Sequence, residues 1–160
     1  MGLTFRTATL SDLNNLVALE NRSFAEDRIN RRAYHHLLTQ GNAHIIVSLD
    51  NDELVGAVIL HFRKNSPIAR LYSIAVSTLH RTRGVGKKLV QLAEFRAREN
   101  KCSRMRLEIK ITNTPSLSMF EKMGYRQFGT YLNYYEDGQD AARLEKSLVS
   151  LNSATTGDTP

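Results

Sequence analysis

A chain of 160 residues is long enough to bury a hydrophobic core within one domain, and 41% hydrophobic and 24% charged residues are ordinary for a globular protein. Cys102 is the only cysteine, which excludes an internal disulfide and a site built from several thiolates, and we expect no bound metal. The amino terminus lacks the apolar region of a signal peptide, and no stretch reaches the roughly 18 apolar residues of a membrane span, so we expect a cytoplasmic protein.

The first half of the chain predicts one strand, two helices and two further strands, at residues 3–8, 10–22, 31–40, 43–49 and 53–62. Thr9 and Asp12 have the spacing of a capping box at the start of the first helix. The two later strands are separated by Asp50-Asn51-Asp52, whose residue types are typical of a turn. We therefore expect a short turn between them.

The second half predicts a strand ending at 76, a helix at 84–100, a strand at 104–110, a helix at 114–123 and strands at 125–131 and 142–148. The whole order, β-α-α-β-β-β-α-β-α-β-β, is a mixed α/β pattern in one domain, which we place at residues 1–150. Residues 151–160 have almost nothing to bury, so we expect them to form a disordered tail.

The stretch from Ile74 to Lys88 predicts a strand end, a basic turn with Gly84 and Gly86, and the start of an amphipathic helix. A glycine has no Cβ to hold a ligand away, and the first N–H groups of a helix have no partner within it. Because the helix dipole adds positive charge there, such a start is a natural phosphate site. A plain turn whose glycines serve only geometry is the alternative.

Two nucleotide-binding motifs do not fit this stretch. A P-loop needs a glycine at the position of Arg81 and a hydroxyl residue at the position of Lys88. The dinucleotide fingerprint needs a third glycine where the chain has Leu89.

The net charge of +6 indicates an anionic partner or serves solubility. Nucleic acid is a rival partner that we do not favour, because no nucleic-acid-binding signature accompanies the basic residues.

The pattern Arg81-x-x-Gly84-x-Gly86 resembles the pyrophosphate loop of the GNAT acetyltransferase superfamily. The resemblance implies acetyl-CoA as co-substrate, with loop amides on its pyrophosphate and the preceding strand on its pantetheine arm. It also implies the GNAT fold, whose element order the predicted order matches. The residues that it assigns to acetyl-CoA in this stretch are Ile74, Ala75, Val76, Arg81, Thr82, Arg83, Gly84, Val85, Gly86 and Lys87.

A second set of motifs is similar to the RimI-like branch of this family, the ribosomal-protein alanine and protein amino-terminal N-acetyltransferases. These motifs are Leu107-Glu108-Ile109-Lys110, then Asn113, Phe120 and Gly124-Tyr125, and finally the segment from Asn133 to Ala141. The resemblance implies that Glu108 is the general base. It also places Asn113 on the asparagine that contacts the pantetheine arm, and we assign Ser116 and Phe120 to the cofactor site as well.

Glu108 has a chemical reason to assist, because an amine attacks a thioester only when unprotonated and an α-amine has a pKa of about 8. A carboxylate is a weak base, so this role needs partial desolvation or a water relay. The alternative is an outward-facing residue paired with Lys110 or Arg106. Asn113 has an alternative too, because Asn113-Thr114-Pro115 is a good helix start.

Phe120 departs from the branch, which commonly has a tyrosine there as general acid to the leaving thiolate. Phenylalanine has no proton to give, although a thiol with a pKa of about 8.5 is a tolerable leaving group. Tyr131, Tyr134, Tyr135 or solvent could supply the proton, and we assign Tyr134 and Tyr135 as the catalytic candidates. Phe120 could also simply pack in the core beside Leu117.

The acceptor is expected to enter between residues 24–28 and a tyrosine-rich hairpin near 131–140. Asp27, Tyr131 and Tyr134 are the expected substrate-binding residues, because tyrosine rings beside carboxylates suit a cationic amine. Asp137-Gly138 carries such a carboxylate, but it is also a plain turn signal.

The sequence thus predicts a GNAT-fold N-acetyltransferase that moves an acetyl group from acetyl-CoA directly to an amine. Direct transfer follows from the resemblance, and Cys102 offers no convincing nucleophile. The favoured acceptor is the α-amine of a protein or peptide. The alternatives are a lysine side chain or small amine, and a non-catalytic module that binds acyl-CoA or nucleic acid. We expect a monomer or homodimer.

Overall fold

The computed structural model describes residues 2–149, so the predicted tail at 151–160 lies outside the described residues. The strands are β1 (Leu3–Thr7), β2 (Ala43–Asp50), β3 (Glu53–Phe62), β4 (Ile68–Val76), β5 (Arg104–Lys110), β6 (Arg126–Tyr131) and β7 (Ala141–Ser147). The helices are α1 (Leu13–Ser23), α2 (Arg31–Thr39), α3 (Val85–Glu99) and α4 (Thr114–Lys122). The predicted mixed α/β order is confirmed. Short 3-10 helices at Leu10–Asp12 and Thr78–Arg83 were not predicted.

One seven-stranded sheet forms the centre of the fold, in the order β1-β2-β3-β4-β5-β7-β6. All neighbouring strands are antiparallel except β4 and β5, which run parallel. Helices α1 and α2 cover one face, with Leu16, Leu19 and Tyr34 in the core between them and the sheet. Helices α3 and α4 cover the other face, where Leu89 and Phe120 are buried. The two apolar layers hold the sheet between them.

Local sequence signals explain most element ends. Asn51 and Asp52 both adopt positive φ, 52° and 74°, in the tight turn between β2 and β3. The predicted capping box of Thr9 and Asp12 is present, and in it the Asp12 carboxylate accepts the backbone N–H of Thr9 at 2.8 Å. Cys102 is a buried packing residue, as its position between helix and strand predicted. Among residues 2–149, no helix has both the length and the apolar character needed to cross a bilayer.

Strands β4 and β5 stay together over a short distance only. They pair where Ile68–Arg70 lies beside Arg104–Arg106, and no pairing between them continues beyond Arg70. At that point β4 contains a bulge, since Leu60 and Ile59 of β3 pair with Leu71 and Ser73 and leave Tyr72 unpaired. A bulge bends its strand, which here turns β4 away from β5. The divergence exposes backbone N–H and C=O groups on the β4 edge that would otherwise be part of the sheet.

Gly56 in β3 sets how closely α3 approaches the sheet. A Cβ at this position would lie 3.0 Å from Leu89 Cδ1 and 3.0 Å from Val85 Cγ1. Both contacts are tighter than most Cβ contacts in proteins, so an added methyl group would require Leu89 and Val85 to move within a buried contact. The start of α3 therefore depends on a glycine in the strand beneath it.

We expect Gly56→Ala to lower the free energy of unfolding by about 1–3 kcal/mol, because the added methyl group overpacks the contact with α3. Urea denaturation monitored by circular dichroism measures the change. Gly41→Ala is the matched control, since an added Cβ there meets no atom within 4 Å. Equal stability of the two variants would contradict the packing role of Gly56.

Candidate active site

A cleft of about 590 Å³ opens where β4 and β5 diverge. Its walls come from the loop between α1 and α2, from β4, from β5, from the start of α4 and from the hairpin between β6 and β7. Several predicted site residues come together around it, namely Asp27, Ile74, Glu108, Asn113, Ser116, Phe120, Tyr134 and Tyr135. The predicted residues Ala75, Val76 and 81–87 do not line this cleft. Ala75 and Val76 end strand β4, and residues 81–87 lie in the loop after it and at the start of α3.

The helix start after this loop fits an anion. Gly84 adopts φ 78° and ψ 11°, a left-handed conformation that glycine adopts without the Cβ penalty, and a Cβ there would point into open space. The Lys88 N–H closes the first helical bond to the Gly84 carbonyl at 3.0 Å. The N–H groups of residues 85–87 therefore have no intrahelical acceptor, which is the arrangement that binds phosphate.

Gly86 lies next to side chains of α4 and β4. A Cβ there would lie 3.6 Å from Met119 Sδ and 3.7 Å from Val76 Cγ2, at ordinary contact distances. It would therefore meet protein atoms of α4 and β4. Arg81 also acts within the turn, because its Nε donates to the Val76 carbonyl at 3.3 Å. This contact uses one of the two lone pairs of a carbonyl that was expected to serve the pantetheine arm. The side chain of Ala75 is buried on the α1 and α2 side of the sheet.

Asp50 clamps the loop from the neighbouring strand. Its Oδ2 lies 2.9 Å from His80 Nε2 and accepts from Arg83 Nη1 at 3.1 Å. Hydrogen bonds from His80 and Arg83 lower the pKa of Asp50. Asp50 therefore stays ionised at neutral pH, and the clamp is lost only when the pH falls through that lowered pKa. Sequence analysis identified Asp50 only as a turn residue and assigned Arg83 to the cofactor.

A hydrogen-bonded chain crosses the cleft at Arg70. The Arg70 Nη2 group donates to Glu108 Oε1 at 2.5 Å and to the Tyr134 hydroxyl oxygen at 3.0 Å. A second guanidinium, that of Arg143, lies on the other side of Glu108, with its Nε 3.7 Å from Glu108 Oε2. The Glu108 side chain is only 7% exposed. Glu108 is thus a desolvated carboxylate held between two arginines, neither of which sequence analysis identified.

The predicted ion-pair partners of Glu108 are wrong. Arg106 pairs with Glu145 at 3.0 Å and Lys110 pairs with Asp137 at 3.0 Å. Register explains the difference, because Arg143 lies directly opposite Glu108 on β7. Side chains directly opposite on antiparallel strands are closer than residues two apart on one strand. The signal that was available is Arg70 itself, a charge inside an otherwise apolar strand.

The two candidate tyrosines differ in their surroundings. The Tyr134 oxygen already accepts from Arg70, so its own hydrogen is free to be donated elsewhere. Burial is the main cause that raises the pKa of Tyr135, and the neighbouring Tyr134 and nearby carboxylates raise it further. A raised pKa makes a phenol a weaker acid, so Tyr134 is the better placed proton donor. Tyr131 stacks on Tyr134 with ring centroids 5.4 Å apart but does not line this cleft.

Phe120 and Asn113 have the structural roles that were their alternatives. Phe120 is 1% exposed and packs edge-to-face on Tyr125, with ring centroids 5.1 Å apart. The Asn113 side-chain oxygen accepts the Ser116 N–H at 3.3 Å and caps α4. Only the Asn113 amide nitrogen and the Ser116 hydroxyl are then left for a cofactor.

Two carboxylates near the mouth of the cleft, those of Asp27 and Asp137, already have hydrogen-bond partners. Asp27 Oδ1 accepts the Glu136 N–H at 3.2 Å, which ties the loop after α1 to the tyrosine hairpin. The Asp137 carboxylate forms an ion pair with Lys110, and this hydrogen-bonded contact raises the pKa of Lys110. Gly138 adopts φ 83°, so Asp137-Gly138 is the hairpin turn that its sequence predicted.

Comparisons with known proteins agree on one family. The model of the Acetyltransferase (GNAT) family matches residues 10–125. An N-alpha-acetyltransferase of Sulfolobus acidocaldarius is 29% identical over 154 residues, covering 89% of this chain and 91% of that protein.

Two solved structures have the same fold. The ribosomal-protein-S18-alanine N-acetyltransferase from Escherichia coli superposes with a TM-score of 0.82 at 20% identity, covering 91% of this chain and 94% of that one. Ard1 from Thermoplasma volcanium superposes with a TM-score of 0.84 at 20% identity, covering 94% of this chain and 100% of that one. At this identity the likeness establishes the fold alone.

We expect Asp50→Asn to weaken acetyl-CoA binding by about three- to tenfold, because a neutral amide no longer makes charge-assisted hydrogen bonds to His80 and Arg83. Isothermal titration calorimetry with acetyl-CoA measures the change. Asp52→Asn is the matched control in the same turn, since Asp52 has no ion-pair partner among residues 2–149. Equal affinities for both variants would show that the clamp does not position the loop.

Proposed function

The chain belongs to the GNAT acetyltransferase family, and we propose that it acetylates the α-amine at the amino terminus of a protein or peptide. The enzyme is an acetyl-CoA-dependent N-acetyltransferase. The proposal rests on one observation, which is the pair of hydrogen bonds that Arg70 donates to Glu108 and to Tyr134. Both bonds lie in the cleft where β4 and β5 diverge. The Arg70 guanidinium thus holds a candidate base, Glu108, and a candidate acid, Tyr134, for one amide-forming reaction.

The parts of the chain that would hold acetyl-CoA lie along the diverging strand. The N–H groups of residues 85–87 suit its pyrophosphate, and the free β4 edge suits the amide groups of its pantetheine arm. The Asn113 amide nitrogen is a further donor on the opposite wall. When bound, acetyl-CoA supplies an acetyl thioester. The residues of this chain have to deliver an unprotonated amine and to accept and return one proton.

Proton transfer is assigned to the two groups that contact Arg70. Glu108 is desolvated, but its oxygens already face two guanidiniums, so we propose that it receives the amine proton through a water. The new N–C bond forms as the C–S bond breaks, and Tyr134 donates its hydroxyl proton toward the departing sulfur. No covalent enzyme intermediate is needed. In support, burial raises the pKa of Cys102, which makes it a poor nucleophile.

The preference for an α-amine over a lysine side chain rests on pKa. An α-amine has a pKa of about 8 and a lysine amine about 10.4, so a weak, arginine-bound carboxylate is better matched to the former. The family members that the chain resembles include proteins named for amino-terminal acetylation. We retain the predictions that the catalytic domain spans residues 1–150 and that the protein is cytoplasmic.

We expect the enzyme to acetylate the α-amine of peptides that also contain a lysine, and to leave the lysine unmodified. Tandem mass spectrometry of peptides incubated with enzyme and acetyl-CoA locates the added group. Gly84→Asp is the matched inactive control, because a carboxylate at the helix start repels pyrophosphate and a side chain is strained at that φ. Lysine products without α-amine products would overturn the acceptor assignment. Folded protein without products or acetyl-CoA binding would overturn the enzyme assignment.

We expect Tyr134→Phe to lower kcat by about tenfold or more, while Tyr135→Phe changes kcat by less than about threefold. The physical reason is that Tyr134 can donate its proton, whereas burial makes Tyr135 a weaker acid. Steady-state assays that follow released thiol at saturating acetyl-CoA measure kcat, with acetyl-CoA KM as the check on binding. The reverse order of effects would move the proton donor to Tyr135.

A further inference from the structure

A second cleft of about 1000 Å³ lies beside the first one. It is bordered by α2, by the loop between β3 and β4, and by residues of β5, β6 and β7. The two clefts share Ile29, Arg70, Tyr72 and Glu108 in their walls. The Arg70–Glu108 pair therefore separates the proposed reaction site from a larger opening on its other side. An acceptor whose terminal amine reaches Glu108 therefore comes to the boundary of this opening.

The lining of the second cleft is strongly basic. Five arginines border it, while its lining includes one carboxylate, Glu108, which already faces two of them. We call this surface the basic groove, and define it by Arg32, Arg63, Arg70, Arg106 and Arg143. Guanidinium groups stay charged across the physiological pH range, so the groove keeps its positive potential.

The inner arginines of the groove are held against aromatic rings, whereas the two arginines at its rim are exposed. Arg143 lies over the Tyr131 ring at 4.2 Å and over the Phe128 ring at 4.7 Å, and Arg106 lies over Phe128 at 4.7 Å. Stacking fixes the face of a guanidinium and leaves its edge for polar contacts, of which Arg106 makes one with Glu145 and Arg143 one with Glu108. At the rim, Arg32 and Arg63 are exposed and have no ion-pair partner within residues 2–149.

The groove also contains unsatisfied donors. The Nε groups of Arg70 and Arg143 are buried without a hydrogen-bond acceptor among the described residues. Two buried donors without partners, within a set of like charges, are costly for folding alone. His36 and His61 also border the groove, and burial, followed by the charge of Arg70, lowers the pKa of His61. The positive charge of the groove therefore comes from its arginines and not from His61.

We propose that the basic groove binds acidic side chains of the acceptor, in the residues that follow its terminal α-amine. The inference rests on the proposed function and assigns its substrate class, an amino terminus followed by aspartate or glutamate. A polypeptide acceptor is favoured over nucleic acid because the groove joins the reaction site at Glu108, where the acceptor has to bring an amine. The charge pattern selects acidic acceptors by attraction and rejects basic ones by repulsion.

The test compares three peptides of equal length that share the same first residue and carry acidic, neutral or basic residues at positions two to five. We expect kcat/KM to be at least tenfold higher for the acidic than for the basic peptide, mainly through KM, and the ratio to fall as salt is raised. The double variant Arg32→Glu with Arg63→Glu should reduce or invert the ratio. It should leave the acetyl-CoA KM and the rate for the neutral peptide within about twofold, because exposed charges act weakly on neutral partners.

The double variant Arg22→Glu with Lys122→Glu is the matched control, because it makes the same charge change at exposed positions outside both clefts. It should keep the wild-type ratio. Acetylation of all three peptides at equal efficiency would overturn the groove assignment and leave the proposed function standing. Acetylation of none of them would overturn the proposed function itself. Competitive inhibition by a short RNA, without any preference among the peptides, would reassign the groove to nucleic acid.

Discussion

The pairing of β4 with β5 ends at Arg70, and the chemistry that we propose for this protein depends on that interruption. Had the parallel pair continued, the backbone groups of residues 71–76 would be consumed in the sheet and the cleft would be closed. The bulge at Tyr72 bends β4 while β3 still holds its other edge. The strand therefore stays rigid on one side and open on the other. A rigid open edge is what an extended cofactor arm needs for backbone hydrogen bonds.

Arg70 is the last residue of β4 that pairs with β5, and its guanidinium connects groups from two other elements. It contacts Glu108 on β5 and Tyr134 in the hairpin after β6. The Nη2 group carries two hydrogens and donates one to each partner. Because Arg70 and Glu108 also border the basic groove, one ion pair connects the proposed reaction site and the proposed acceptor site.

The proposed pyrophosphate site at the start of α3 is positioned by the packing beneath it. Gly56 lets α3 settle against β3, and Asp50 ties the preceding loop to the end of β2 through His80 and Arg83. The helix start is thus fixed from two neighbouring strands. Support of this kind gives a phosphate site its precision, since its own groups are mostly backbone amides.

The sequence by itself determined the element order, the strand-loop-helix at Ile74 to Lys88, the cap at Asn113 and the turn at Asp137-Gly138. These features follow from local periodicity and turn chemistry, which act over a few residues. Only the tertiary structure decided the partners of Glu108, because Arg70 lies 38 residues before it and strand register brings Arg143 opposite. The same holds for Asp50 with His80 and for the basic groove, whose arginines come from separate elements. Contacts of this range depend on which strands become neighbours, and that is decided when the whole sheet assembles.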